Sequence, residues 1–349
     1  MPLRVLHVDA GREWRGGQNQ VRLLTRELGG RPGVAQLLVT RSAGALATRA
    51  RASGVPVAGV SWDMGLDPRA WWGLLRAARR FRPDIVHVHE SHALTLATWA
   101  RRWMRPAPRL VAHRRVDFHV RPHGYWCDAD AIIAVSDAVR RVLVADGVDA
   151  ARVSVIPDGI DPGEIRAAAE AARDFRAELG LAPGTALAVN VAALVAHKDQ
   201  ATLVRAAAAA RASRPDLHWA IAGDGPLRGG LVAQIEALGL ADRVHLLGYV
   251  TEVDALIRQA TVFVMSSREE GLGSVVLHAL ALGTPVVATA GGGLPEILSP
   301  EQLVPVGDAP HLAQRVREAL ERPPRAALPG RCTARAMADA VVALYRTLV

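Results

Sequence analysis

VFVMSSREEGLGSVVLHALALGTPVVAT, residues 262–289, sets a short apolar run, a turn, a helical stretch and a second apolar run end to end. The flanking runs, VFVM (262–265) and PVVAT (285–289), have the length and β-branched content of buried strands. Between them two acids follow Met265, Gly271 and Gly273 loosen the backbone, and a helix opens near Ser274. Backbone N–H groups at a helix start, with the helix dipole behind them, favour a phosphate. Residues 270, 274 and 278 recur at helical spacing and can face one ligand. Taken by itself this is a signal of moderate specificity, because a glycine turn before a helix is common in α/β proteins.

The same alternation runs outward in both directions. Towards the N-terminus, strand-like runs occur at 5–8, 37–39, 57–60, 85–89, 110–113, 131–135 and 153–156, with helical segments at 18–28, 68–81, 92–104 and 136–145. The turn-rich PDGIDPGE (157–164) and a helix over about 165–179 then separate a second series, with strands at 186–192, 219–223, 244–248, 262–265 and 285–289. Strands alternating with helices predict doubly wound parallel sheets. The 349 residues are enough for two cores. We therefore expect an N-terminal domain over 1–160 and a C-terminal domain over 161–349 facing it across a cleft, with the last helix a candidate to pack back on the first. Ligands of such sheets sit beyond the carboxyl ends of strands.

Composition narrows the setting. Half of the residues are apolar and 22% are charged, an ordinary globular balance. Residues 1–160 hold 24 Arg against 14 acids, while 161–349 hold 17 Arg and one Lys against 20 acids, so the formal charge of +8 sits in the first half. A basic half suits an anionic lipid or a phosphorylated substrate. No helix-turn-helix, RRM or zinc pattern accompanies the charge, which argues against nucleic acid. Cys127 and Cys332 lie far apart, so neither a disulfide framework nor a zinc knuckle is expected. The start, MPLRVLHVDAG, lacks the charged and apolar regions of a secretory signal, and no run approaches the ~18 apolar residues of a membrane span. The expected compartment is the cytoplasm, with a peripheral place at the inner face of the plasma membrane.

With EG-x-G before the helix and small-G-x-PVVAT after it, residues 266–289 resemble the donor-site motif of the family 4 retaining glycosyltransferases, which have the GT-B fold of two Rossmann-like domains. Further similar features run along most of the chain: Gly16-Gly17 before the first long helix, His113 after the fifth strand, VIPDGID, Lys198, and AGDGP at 222–226. The resemblance implies a nucleotide diphosphate sugar as donor, a lipid-linked acceptor or a glycan such as a cell-envelope polysaccharide, no cofactor and no metal.

It also implies roles for particular residues. Glu270 matches the first of two family glutamates, which contacts the transferred sugar. The second, which binds the ribose hydroxyls, falls on His278, a departure that puts ribose and base affinity in doubt; a neutral imidazole can also donate or accept there. Lys198, the only lysine beside 41 arginines, suggests a place needing a compact point charge. In the family a lysine here binds the diphosphate with an arginine five residues earlier, a position that is Ala193 in this chain, so Arg268 or Arg114 is a candidate to substitute. His113 is implied to orient the reacting groups. Gly16 and Gly17 face the donor, Gly223 lies close to the nucleotide, and Tyr249 and Val250 read the base through their backbone. Gly271, Leu272, Gly273 and Ser274 form the helix start at the donor.

Other features carry weaker signals. Gly291–293 with Pro295 and Glu296 reads equally as a plain loop or as a turn near the nucleotide. Asp128-Ala-Asp130 spells a metal-binding DxD but precedes a strand instead of ending one. His87 and His89 read as structural, and His119 and His123 as possible acceptor contacts. Trp71, Trp72, Trp99 and Trp103, interleaved with arginines over 68–81 and 95–105, suit either an anionic membrane surface or the first domain's core. Two other functions compete with transfer: a nucleotide-sugar epimerase of related fold and a non-catalytic sugar-nucleotide binder.

Overall fold

Apolar runs too short for helices pair side by side into two separate sheets in a computed structural model that describes residues 2–63, 66–121, 124–170 and 173–349. The first unit comprises Met1–Ile160 and Gly330–Val349, and the second Asp161–Pro329. The first unit runs β1 (Leu3–Asp9), α1 (Gly16–Gly29), β2 (Val34–Arg41), α2 (Ala45–Ala52), β3 (Val57–Val60), α3 (Pro68–Phe81), β4 (Ile85–Val88), α4 (Ser91–Arg101), β5 (Arg109–Arg114), β6 (Ala131–Ala134), α5 (Asp137–Ala145) and β7 (Val153–Val155). Its strands lie in the order β3-β2-β1-β4-β5-β6-β7, all parallel. The second unit runs α6 (Pro162–Ala169), α7 (Phe175–Glu178), β8 (Leu187–Val191), α8 (Gln200–Ala210), β9 (His218–Ala222), α9 (Arg228–Ala237), β10 (Val244–Gly248), α10 (Val253–Arg258), β11 (Val262–Met265), α11 (Ser274–Leu282), β12 (Val286–Thr289), β13 (Leu303–Val304) and α12 (Ala309–Glu321). Its order is β10-β9-β8-β11-β12-β13, again parallel throughout.

Both sheets are doubly wound, and their strand order reverses at β1 and at β8. Such a reversal opens a crevice beyond the strand ends. Strands β4, β6, β11 and β12 are buried along their whole length, which is why they read as unbroken apolar runs. Helix starts follow local chemistry: Asp67 accepts from Arg69 N with Pro68 at the first position of α3, and Ser136 accepts from Val139 N at α5.

Three differences from the sequence-based expectations have clear causes. The helix expected over 165–179 is two short helices, because Asp174 caps a new start by accepting from Arg176 N and Ala177 N. The short strand β13 was not foreseen. Residues 330–349, within the 161–349 expected for the second domain, belong to the first unit, the packing for which the last helix was a candidate. There α13 (Ala334–Leu348) buries Met337, Ala338, Val341 and Tyr345 against Val5, Leu24, Ile85 and Val111. A bridge between Ile160 and Thr333 ties its entry to the end of the first stretch.

The tryptophan segments also resolve. Trp72, Trp99 and Trp103 are 59%, 45% and 64% exposed, so they do not fill the core; Trp62 and Trp126 do. Among the described residues no helix is long and apolar enough to cross a membrane.

Candidate functional site

The second unit gathers Lys198 and Glu270 although 72 residues separate them. Strand β8 delivers the chain to a 3-10 turn at Ala196–Lys198, and β11, its neighbour in the sheet, ends at Met265 just before the 266–273 loop. Loop and turn are stitched together where Arg268 N donates to His197 O, Ser266 Oγ to Lys198 O, and Arg268 Nε to Asp199 Oδ2 at 2.8 Å. The Lys198 ammonium lies 2.5 Å from Glu270 Oε2, which also accepts from Ser267 Oγ at 3.2 Å. Both side chains are mostly covered, 18% and 13% exposed, so the contact is better protected than a surface ion pair.

The glycines beside this pair are sterically required. Gly273 has φ 91° and caps α11, and a Cβ there would sit 2.7 Å from Leu294 Cδ2. Having no side chain, it leaves the first turn of α11 uncapped, and that turn contains no acid. Its amides are thus arranged for an anion. Leu272 is buried, leaving its backbone as the available contact. Gly223 has φ 141°, and a Cβ would fall 1.9 Å from Ala192 O, so AGDGP lies hard against the end of β8. Gly223 N donates to Gly248 O at 2.7 Å, drawing AGDGP and Gly248-Tyr249-Val250 together. Val250 is buried, whereas Tyr249 is 72% exposed.

His278 lies on α11, whereas Glu270 lies in the loop before that helix, so the helical spacing of 270, 274 and 278 holds only from Ser274 onward. The His278 Nδ1 is 2.6 Å from Asp254 Oδ1 on α10, with both side chains largely covered. With Nδ1–H donating to the carboxylate, Nε2 is the ring nitrogen left for a ligand. The sequence reading missed Asp254. It sits 24 residues earlier on another helix, and no spacing rule connects the two.

In the first unit, Gly16 and Gly17 open α1 beyond Arg15, which makes no side-chain cap, and no acid lies in the first turn. A Cβ on Gly17 would meet no atom within 4 Å, so the space beside it is open. His113, the penultimate residue of β5, is fully buried, and burial pushes its imidazole well below the usual range, keeping it neutral. Its Nδ1 lies 3.0 Å from Arg115 Nη2. Guanidinium only donates, so Nδ1 is the acceptor and Nε2 carries the proton. That Nε2–H has no hydrogen-bond partner, with Asp158 Oδ1 3.9 Å away. Arg115 and Asp158, themselves paired at 3.0 Å, are positioning residues that sequence reasoning did not single out.

The remaining candidates separate cleanly. Asp130 accepts from Leu110 N and pairs with Arg101 and Arg109, a structural use of the second acid of the DxD. Of the two arginines weighed against Ala193, Arg268 lies beside the Lys198 turn, whereas Arg114 is in the first unit, donating to Phe118 O and stacked over Trp126. His119 pairs with Asp146 at 2.8 Å, and His123 lies outside the described residues. Arg114, His119, Arg121, Tyr125 and Trp126 line part of a cavity of about 340 Å³.

Two doubly wound parallel sheets of this kind constitute the GT-B class of glycosyltransferases. The sequence model described as Glycosyltransferase Family 4 matches residues 12–164, and that described as Glycosyl transferases group 1 matches 172–336. The chain belongs to the family 4 glycosyltransferases. A 2-deoxystreptamine N-acetyl-D-glucosaminyltransferase of Streptomyces fradiae is 29% identical over 87% of this chain and 82% of its own length. A 2-deoxystreptamine glucosyltransferase of Streptomyces kanamyceticus is 30% identical over 56% of this chain and 52% of its own. Among solved structures, HepE from Anabaena in complex with UDP-glucose superposes with a TM-score of 0.77 at 22% identity, covering 99% of this chain and 98% of that one. A glycosyltransferase from Rickettsia africae gives 0.80 at 15% identity, covering 99% and 98%. At these identities the structural likeness is one of fold.

Proposed function

We propose that this glycosyltransferase is a retaining, metal-independent enzyme that moves a sugar from a nucleotide diphosphate sugar to a lipid-linked or cell-envelope polysaccharide acceptor. The observation that carries the reading is the contact of Lys198 with Glu270 beside the uncapped start of α11. A compact cation and a row of amides suit a departing diphosphate, and a carboxylate beside them suits the hydroxyls of the sugar. In the reaction the bond from the anomeric carbon to the diphosphate oxygen breaks. A bond from that carbon to the acceptor oxygen forms on the same face, and the acceptor's proton passes to the leaving phosphate. Lys198 and the α11 amides stabilise the charge on that phosphate; Glu270 positions the sugar. His113, with its proton fixed on Nε2 by Arg115, supplies a directional donor to the reacting groups. Binding of UDP-glucose by the Anabaena protein supports a nucleotide sugar as donor.

The exposed Trp72, Trp99 and Trp103 among arginines support a lipid-linked acceptor met at an anionic membrane, at the inner face of the plasma membrane. The names of the two Streptomyces relatives favour a second reading, in which the acceptor is a small aminocyclitol or polyol.

A thermal-shift screen of nucleotide diphosphate sugars tests the donor, since a ligand of the folded state raises apparent stability with its affinity. One sugar nucleotide should raise Tm, and EDTA should leave its transfer intact. Loss of turnover with EDTA and recovery with Mn²⁺ would refute the assigned diphosphate site. A donor cleaved or epimerised equally well without acceptor would refute transfer.

A further inference from the structure

At the strand-order reversal of the first unit, three histidines converge with no role in sugar transfer. His7 on β1 and His87 on β4 are register partners in the parallel ladder, and His89 follows His87 by two residues, so all three project on one face of the sheet. The rings stand 5.5 Å (His7–His87), 5.3 Å (His7–His89) and 4.2 Å (His87–His89) apart between centroids. One ring nitrogen from each lies within 4.8 Å of one from each of the others, and among the described residues this is the only such group of three potential metal ligands.

From this geometry we infer that His7, His87 and His89 form a binding site for one borderline-soft divalent transition metal ion, zinc above all. Hydrogen bonding leaves these rings incomplete. His7 Nδ1 meets His89 Nε2 at 3.1 Å and His87 Nδ1 meets Tyr345 Oη at 2.5 Å, while His7 Nε2, His87 Nε2 and His89 Nδ1 are buried without a partner. Unpaired polar atoms in such number at one place call for an occupant. Burial holds all three imidazoles in the neutral form that ligates metal.

Tyr345 supplies the outer support typical of a metal-bound histidine. With Tyr345 Oη accepting from Nδ1–H of His87, the tautomer that a bound ion requires, Nε2 is left as the ligating lone pair. Zn–N bonds near 2.0–2.1 Å in a tetrahedral set place ligand nitrogens roughly 3.3 Å apart. His7 Nδ1 and His89 Nε2 already stand at 3.1 Å, close to that spacing, and ligation by these two with His87 Nε2 replaces their mutual hydrogen bond. Three imidazoles without carboxylate or thiolate favour zinc, cobalt, nickel or copper over magnesium, calcium or manganese. His113 is excluded as fourth ligand because its Nε2 carries the proton, so a water takes that position. The ion would join β1 to β4 and, through Tyr345, to α13. Since the rings are almost wholly covered, it enters as the chain folds. This site is separate from the diphosphate site of the second unit and does not depend on the proposed reaction.

The test uses the full chain without an affinity tag, unfolded with chelator and refolded with or without Zn²⁺ or Co²⁺, followed by elemental analysis. About one ion per chain should remain after desalting, Tm should rise, and Co²⁺ should give the d–d absorption of a tetrahedral nitrogen site. His87→Gln and His89→Gln should lose most of the ion, whereas His92→Gln and His311→Gln, at exposed positions, should retain it. Less than about a tenth of an ion per wild-type chain overturns the inference without recourse to any variant. So does ion uptake abolished by the exposed substitutions and kept by the buried ones.

Discussion

Lys198 and Glu270 hold each other 2.5 Å apart, and each therefore sets the position of the other. Removing the ammonium takes one preorganised charge from the departing diphosphate, so Lys198→Ala should slow transfer by roughly 10² or more. Lys198→Arg should recover only part, because a planar fork does not fit a place already shaped around a compact head. Full activity of the alanine variant, with folding checked by circular dichroism, would assign the role to another cation, Arg268 first. Glu270 and His278 should separate kinetically. Glu270→Gln should mainly lower kcat, and His278→Ala mainly raise KM for the donor. Asp254 gives this division a further check, since Asp254→Ala releases His278 Nδ1 and should raise KM in the same direction. Equal kcat losses with unchanged KM in the Glu270 and His278 variants would reject the assignment.

Helix α3 carries Trp72, α4 carries Trp99, and Trp103 lies in the turn after α4, so the prediction they support belongs to those elements. Replacing Trp72 and Trp103 with Ala leaves the buried faces of Leu74, Leu75, Leu94 and Leu96 intact. Binding to vesicles rich in phosphatidylglycerol should fall by about tenfold, with little change on neutral vesicles. Wild-type protein that fails to sediment with anionic vesicles would favour the small-polyol acceptor. The same elements show what was legible beforehand. The span of α3 follows from Asp67-Pro68 at its start and its amphipathic pattern, all local. The break between α6 and α7 was hidden because helix-forming residues surround the Asp174 cap. Partnerships were hidden more deeply. His87 meets Tyr345 across 258 positions, and His278 meets Asp254 on a neighbouring helix, so only the folded chain reveals them. The positions of Lys198, Glu270 and the two glycine turns were legible, because strand ends and helix starts are written locally.

At the scale of the molecule, the histidines of the first unit in its metal-free form govern its response to acid. Burial lowers His7 to about 3 and holds His87, His89 and His113 well below the usual imidazole range. In the unfolded chain each takes up a proton near pH 6.5, so below that pH the unfolded state binds more protons and stability falls. Each imidazole can contribute up to about 1.4 kcal/mol per pH unit. Asp9 acts oppositely: its carboxyl is pushed up to about 6 by burial, so the penalty for ionising it is relieved on acidification through that value. Burial raises the Asp158 carboxyl as well, so it acts with Asp9; four imidazoles outweigh two carboxyls, and the urea midpoint of the first unit should drop markedly from pH 7.5 to 5.5. An unchanged or higher midpoint at pH 5.5 would mean that the rings are charged in the folded state.

The return of α13 to the first unit has a consequence for biosynthesis. A ribosome releases residues 1–160 long before residues 330–349, so the first stretch waits for the return of α13 before its core is closed. Until then the face formed by Val5, Leu24, Ile85 and Val111 lacks its cover, and His87 lacks the Tyr345 hydroxyl. The uninterrupted stretch 161–329 has no such delay and can mature first, reversing the usual N-to-C sequence of events. A nascent chain arrested after residue 329 should therefore show protease resistance in its second unit and cleavage in its first. Extension through residues 330–349 should protect both.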